Sequence, residues 1–79
     1  MVTAPGCHLC ADAREALATL ARQFPLEVRE VGASSPEGLT LVAKHRPALQ
    51  PLVLVDEVFF SAGRLPRRKL RRRLERRVA

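Results

Sequence analysis

The chain has 79 residues, 47% of them hydrophobic, with three Phe, no Trp or Tyr, and 14 Lys and Arg against 8 Asp and Glu for a net charge of +6. This length supports one small core and excludes a large multi-substrate active site, so any chemistry must rest on two or three side chains and some backbone. The longest aliphatic run, Leu52-Val53-Leu54-Val55, is too short to cross a bilayer, and residues 1–20 lack the basic start and apolar stretch of a secretory leader, so a globular, cytoplasmic protein is expected.

In chain order, Val2, Thr3 and Ala4 offer a very short strand, and Pro5-Gly6 punctuates it with a turn. Leu9, Ala13, Ala16, Leu17, Leu20, Ala21 and Phe24 then recur at three- and four-residue steps, which predicts an amphipathic helix. Asp12 and Glu15 fall in its early turns and Arg22 in its last, as the helix dipole favours, and Pro25 stops it. Leu26–Val31 reads as a strand. After a Gly32–Ser35 loop, Ser34 and Glu37 have capping-box spacing and Pro36 suits a first helical turn. The second helix, about 36–45, would turn Leu39, Val42 and Ala43 inward, with Gly38 and Thr40 weakening it and Pro47 ending it.

Leu52–Val55 has the continuous apolar character of a strand buried on both faces. Asp56-Glu57 predicts a tight turn and Val58–Ser61 the returning arm of a hairpin, broken by Gly63. Pro66 opens a last helix with Leu70, Leu74 and Val78 on one stripe. The order β-α-β-α-β-β-α implies an α/β fold, with parallel pairing first and an antiparallel hairpin added at one edge. Residues 1–79 form one domain in this reading, with 65–79 as its basic C-terminal helix.

Both cysteines, Cys7 and Cys10, lie within four residues at the point where a turn enters the first helix. A disulfide stabilises chiefly by closing a long loop, and this one would enclose only His8 and Leu9. The spacing therefore suits chemistry better than architecture. Unpaired N–H groups and the dipole at the helix start favour a thiolate at Cys7, lowering its pKa from about 8.5 toward roughly 3.5–7.5. Cys7 is thus the expected attacking sulfur, and Cys10, one turn further in, the resolving thiol. His8 has two readings of equal weight: an imidazolium that favours the thiolate, or a solvent-facing loop residue.

Pro5-Gly6-Cys7-His8-Leu9-Cys10 ahead of an amphipathic helix resembles the glutaredoxin-like branch of the thioredoxin-fold superfamily. The resemblance implies a thioredoxin-like fold, a four-stranded mixed sheet flanked by helices with a short first strand. It also implies a redox-active dithiol that reduces or exchanges disulfides of proteins or small molecules. A cis-proline precedes the third strand in that family, and Gln50-Pro51 stands in the matching place, where the backbone of Gln50 would pair with a substrate chain. Relatives that use glutathione carry a Lys before the first Cys, a Tyr inside the pair and a Gly-Gly-type turn with an acid after the fourth strand. This chain has Ala4, Leu9 and Ala62-Gly63-Arg64 there. These departures count against glutathione. No tightly bound cofactor is expected, and a low-molecular-weight thiol or a reductase would supply electrons.

Three competing readings bear on the remaining residues. A structural zinc site needs four ligands, and only His45, expected at an exposed helix end, supplements Cys7, His8 and Cys10, so no metal is expected. Two inert buried cysteines are the plain alternative to redox chemistry. Residues 64–79 hold nine bases and one acid, whereas residues 1–63 hold five bases and seven acids. That tail reads first as a solvated helix docked through its leucines, second as contact with an acidic protein or membrane surface, and third, without interleaved aromatics, as a nucleic-acid contact. A non-enzymatic binding module built on the arginines, with the dithiol silent or redox-sensing, is the alternative function.

Overall fold

The structure, a computed structural model, describes residues 1–78, and for Val78 the backbone alone; the expected inward side chain of Val78, and Ala79, lie outside the described residues. The elements are β1 (Val2–Thr3), α1 (His8–Ala21), β2 (Val31–Gly32), α2 (Pro36–His45), β3 (Leu52–Val55), β4 (Val58–Ala62) and α3 (Arg67–Val78). The strands lie in the order β2-β1-β3-β4, with β1 parallel to β2 and antiparallel to β3, and β3 antiparallel to β4. This is the mixed α/β sheet of a thioredoxin-like fold, with its two-residue first strand in the interior of the sheet.

The buried side of α1 is Cys10, Ala13, Ala16, Leu17 and Leu20, the period of an amphipathic helix. The helix ends at Ala21, earlier than the apolar stripe predicts. The Gln23 and Phe24 N–H groups both turn back to the Leu20 carbonyl, at 3.0 and 2.9 Å, because the residue before Pro25 is steered out of helical geometry. Ala21 is therefore exposed, Phe24 packs on the core from outside the helix, and Arg22 is the C-cap. The first turn contains no acid; Asp12 sits in the second and pairs with Arg67 at 2.6 Å.

The expected strand over residues 26–31 contracts to Val31–Gly32. A strand extends only as far as its neighbour, and β1 supplies only the pairs Val2↔Val31 and Thr3↔Gly32, flanked by Val31 N–H to Met1 O at 2.8 Å and Ala33 N–H to Thr3 O at 2.8 Å.

Ser35, not Ser34, caps α2, its Oγ accepting the Gly38 N–H at 3.0 Å. Glu37 closes no capping box but pairs with Arg29 at 2.7 Å. The inward side is Gly38, with Leu41, Val42 and His45 half-buried, while Leu39 and Ala43 are exposed, contrary to the phase read from the sequence. Gly38 sets this phase. A Cβ there would collide with the Gly32 carbonyl oxygen, so the residue expected to weaken the helix is the one that brings it onto β2.

In the β3–β4 hairpin Asp56 and Glu57 both have left-handed backbone, φ 50° and 67°, the geometry of a two-residue turn that matches the strand twist. The register passes from Val53↔Ser61 to Leu54↔Phe59 and leaves Phe60 as the extra residue of a β-bulge. Phe60 is buried, and its neighbour Phe59 is half exposed with its ring 6.0 Å from that of His45.

Ala13, Ala16, Leu17 and Leu20 of α1, Val53 and Val55 of β3, Phe60, Leu65, and Leu70 and Leu74 of α3 form the main core among the described residues. Ion pairs from Arg67 to Asp12 and from Arg77 to Asp56 tether the two ends of α3, and Arg71 contacts Gln23 and lies over Phe24 between them. Leu70 and Leu74 thus dock α3 on the core.

Candidate active site

The dithiol occupies the junction of β1 and α1. Pro5 and Gly6 form the turn, Gly6 with φ 69°, and this delivers Cys7 in extended conformation as the N-cap of α1. Cys7 does with sulfur what Ser or Asp usually does with oxygen at this position. Its Sγ accepts the Cys10 N–H at 3.1 Å, one of the helix's four N–H groups without an intrahelical partner. One helical turn then places Cys10 beside it, with Cα atoms 5.2 Å apart and the two sulfurs joined as a disulfide. The two ends of that bond differ in access: Cys7 is half-buried, whereas Cys10 is 1% exposed.

The second wall comes from residues more than forty positions away. The segment before β3 turns the Gln50 carbonyl oxygen to 3.8 Å from Cys7 Sγ. The Gln50–Pro51 peptide is cis, Pro51 is buried and Gln50 is half-buried. Gly63, at the end of β4 with φ 91°, donates its N–H to the Pro51 carbonyl at 3.1 Å, and Leu49 packs its side chain over Gly63 while remaining 60% exposed. The hairpin thus braces the Gln50–Pro51 loop against the dithiol.

Cys7, Cys10, Gln50 and Pro51 are therefore brought together. His8 is exposed on the first turn of α1. His45, expected to be an exposed helix-end residue, is half-buried, and its Nε2 is enclosed without a hydrogen-bond partner beside Phe59. Among the described residues no group of three or more His, Cys, Asp or Glu side chains is gathered in a way that would hold a metal ion. Leu49 and Gly63 belong to the rim of the site but carry no sequence signal beyond an apolar residue near a proline and a strand-ending glycine.

The clear carboxylate shifts lie away from the sulfurs. Hydrogen bonds from Arg14, foremost, and from the Thr3 hydroxyl hold Glu30 below the usual glutamate range, and Arg29 does the same for Glu37. Both fasten the β1–β2 side of the sheet, Glu30 to α1 and Arg29 to α2.

A family model described as a glutaredoxin-like domain (DUF836) matches residues 1–75. Neither a curated protein nor a solved structure matches the chain.

Proposed function

The chain belongs to the glutaredoxin-like domain family, and on that premise we propose that it is a thiol–disulfide oxidoreductase working through Cys7 and Cys10. The observation that carries the reading is the hydrogen bond from the Cys10 N–H to Cys7 Sγ at the start of α1, on the less buried of the two cysteines. In the reduced protein the same N–H and the helix dipole favour negative charge on Cys7. The Cys7 thiolate attacks one sulfur of a substrate disulfide; a Cys7–substrate S–S bond forms, the substrate S–S bond breaks, and the first substrate thiolate leaves and takes up a proton. Cys10 then loses its proton and attacks Cys7 Sγ, forming the Cys7–Cys10 bond and expelling the second substrate thiolate. Two electrons pass from the dithiol to the substrate.

His8, exposed beside the pair, adds favourable charge in its imidazolium form. The Gln50 backbone, 3.8 Å from Cys7 Sγ through its carbonyl, aligns the substrate chain, and Pro51 holds it there. A low-molecular-weight thiol or a reductase restores the dithiol. The reducing cytoplasm is the compartment that suits this cycle. Among the described residues no helix is long and apolar enough to cross a membrane.

The test is a trapped intermediate. Reduced Cys10→Ser protein mixed with hydroxyethyl disulfide should accumulate a covalent Cys7 adduct in intact-mass spectra, wild type should pass through it to the oxidised dithiol, and Cys7→Ser should form none. Adducts on Cys10 in preference to Cys7, or none at all, overturn the mechanism.

A further inference from the structure

Six of the eight cations of α3 divide into two sets with different work; of the other two, Lys69 lies over the Phe60 ring, 5.2 Å from its centroid, and Arg73 is half-buried. Leu70 and Leu74 face the core, and Arg67, Arg71 and Arg77, close to them on the helical period, are engaged by Asp12, Gln23 and Asp56. On the opposite side stand Arg68, Arg72 and Arg76, all exposed, in one file at four-residue intervals. Among the described residues none of these three, nor the exposed Arg64 before the helix, has a carboxylate within ion-pairing distance. Like charges at this interval work against the helix, and Arg68 also stands near its N-terminus, where the dipole opposes it.

The file has a direction. Arg64 follows Gly63, whose N–H is bonded to the Pro51 carbonyl beside the dithiol. Arg67, at the start of α3, reaches Asp12, two residues beyond Cys10, and Arg77, at its far end, reaches Asp56 in the hairpin turn. The stripe therefore starts at the rim of the site and leads away along the molecule. At about 1.5 Å rise per residue, Arg68, Arg72 and Arg76 are spaced by about 6 Å. Alternate side chains of an extended polypeptide are spaced by about 6.6 Å. Arginine matches carboxylates as planar, two-pronged partners.

We propose that the substrate is an acidic polypeptide, its disulfide at Cys7 with exposed Leu49 beside it, and its alternating carboxylates laid along Arg64, Arg68, Arg72 and Arg76. This rests on the oxidoreductase reading, since a stripe that begins at a dithiol serves a partner that carries a disulfide. A polypeptide brings one and a nucleic acid does not, and no aromatic side chain interleaves the stripe for bases to stack on.

The experiment uses prereduced full-length protein in single-turnover reactions with three disulfides: a disulfide-linked peptide dimer with Glu at alternate positions beside its Cys, the same dimer with Gln for Glu, and neutral hydroxyethyl disulfide. Three or four exposed ion pairs of ordinary strength predict about tenfold faster reaction of the Glu dimer at 50 mM salt, shrinking toward parity at 1 M as screening shortens to about 3 Å. The triple variant Arg68→Gln/Arg72→Gln/Arg76→Gln should lose the preference and still react with hydroxyethyl disulfide at the wild-type rate. Equal rates for the Glu and Gln dimers, or a preference that survives in the variant, overturn the proposal. So does binding of a DNA or RNA oligonucleotide at 150 mM salt that is tighter than binding of the S-alkylated Glu peptide. Failure of wild type to react with hydroxyethyl disulfide refutes the oxidoreductase reading instead. Arg-dependent anisotropy of the labelled, S-alkylated Glu peptide then still decides the acidic-partner surface.

Discussion

Gly38→Ala sets two effects of opposite sign against each other. In an exposed helix interior the change gains about 0.8–1 kcal/mol, because alanine loses less backbone entropy. At position 38 the new Cβ collides with the Gly32 carbonyl oxygen and comes within 2.9 Å of Gly32 C and 3.0 Å of Ala33 Cα. All three are backbone atoms, so no side chain can swing aside and α2 must lift from β2. Overpacking of this kind costs about 1–3 kcal/mol. The same movement disturbs the cap, in which Ser35 Oγ accepts the Gly38 N–H and donates to the Gly32 carbonyl at 2.7 Å, for about 1 kcal/mol more. The net expectation is a loss of about 1–3 kcal/mol, or about 4–24 °C in Tm for a domain of this size. Thermal and urea unfolding followed by far-UV circular dichroism measures it, with Ala43→Gly on the exposed side of α2 as the control that costs about 1 kcal/mol. A Gly38→Ala protein more stable than wild type refutes the close approach of α2 to β2, and with it the account of which residues α2 turns inward.

Two further outcomes follow from the hairpin and from the β1–β2 side of the sheet. Phe60→Ala empties a buried site and should cost about 3–5 kcal/mol in urea unfolding, whereas Phe59→Ala, half exposed, should cost about 1 kcal/mol or less; equal losses would contradict the bulge. Glu30, held below the usual glutamate range chiefly by Arg14, contributes stability that is present above the unfolded-chain value of about 4.3 and is lost as pH falls through the lower folded value. Its side chain is 37% exposed, so Glu30→Gln should cost less than about 1 kcal/mol at pH 7 and flatten the decline between pH 5 and pH 3; an unchanged pH profile of the urea midpoint would refute the assignment.

What the sequence disclosed depends on how locally each feature is determined. The dithiol was legible because its sulfurs, its turn and its helix start fall within residues 5–10. The hairpin was legible because Asp56-Glu57 sits between two apolar runs. The extent of β2 was not, because it is set by Val2 and Thr3, nearly thirty residues earlier. Nor was the phase of α2, since a propensity scale penalises Gly38 at the point where the fold needs a missing Cβ. The bulge at Phe60 breaks strict alternation, so which of two adjacent phenylalanines turns inward is decided only by the pairing. The contribution of Leu49 and Gly63 to the rim of the site likewise emerges only when β4 closes the Pro51 loop against Cys7. The basic tail showed its docked leucines in the sequence, but the division between engaged and outward arginines depends on Asp12, Gln23 and Asp56, which lie on other elements.

The proposed chemistry depends on a Cys7 thiolate favoured by the start of α1, with the resolving thiol of Cys10 buried behind it. The most direct measurement is the iodoacetamide alkylation rate of each cysteine in prereduced protein between pH 4 and pH 10, resolved by peptide mass mapping, with Cys7→Ser as control. Cys7 should react first, with a midpoint below the free-thiol value because the α1 start favours its thiolate, and Cys10 should lag at every pH. A Cys7 midpoint at the free-thiol value of about 8.5, or Cys10 reacting ahead of it, would rule out Cys7 as the activated nucleophile.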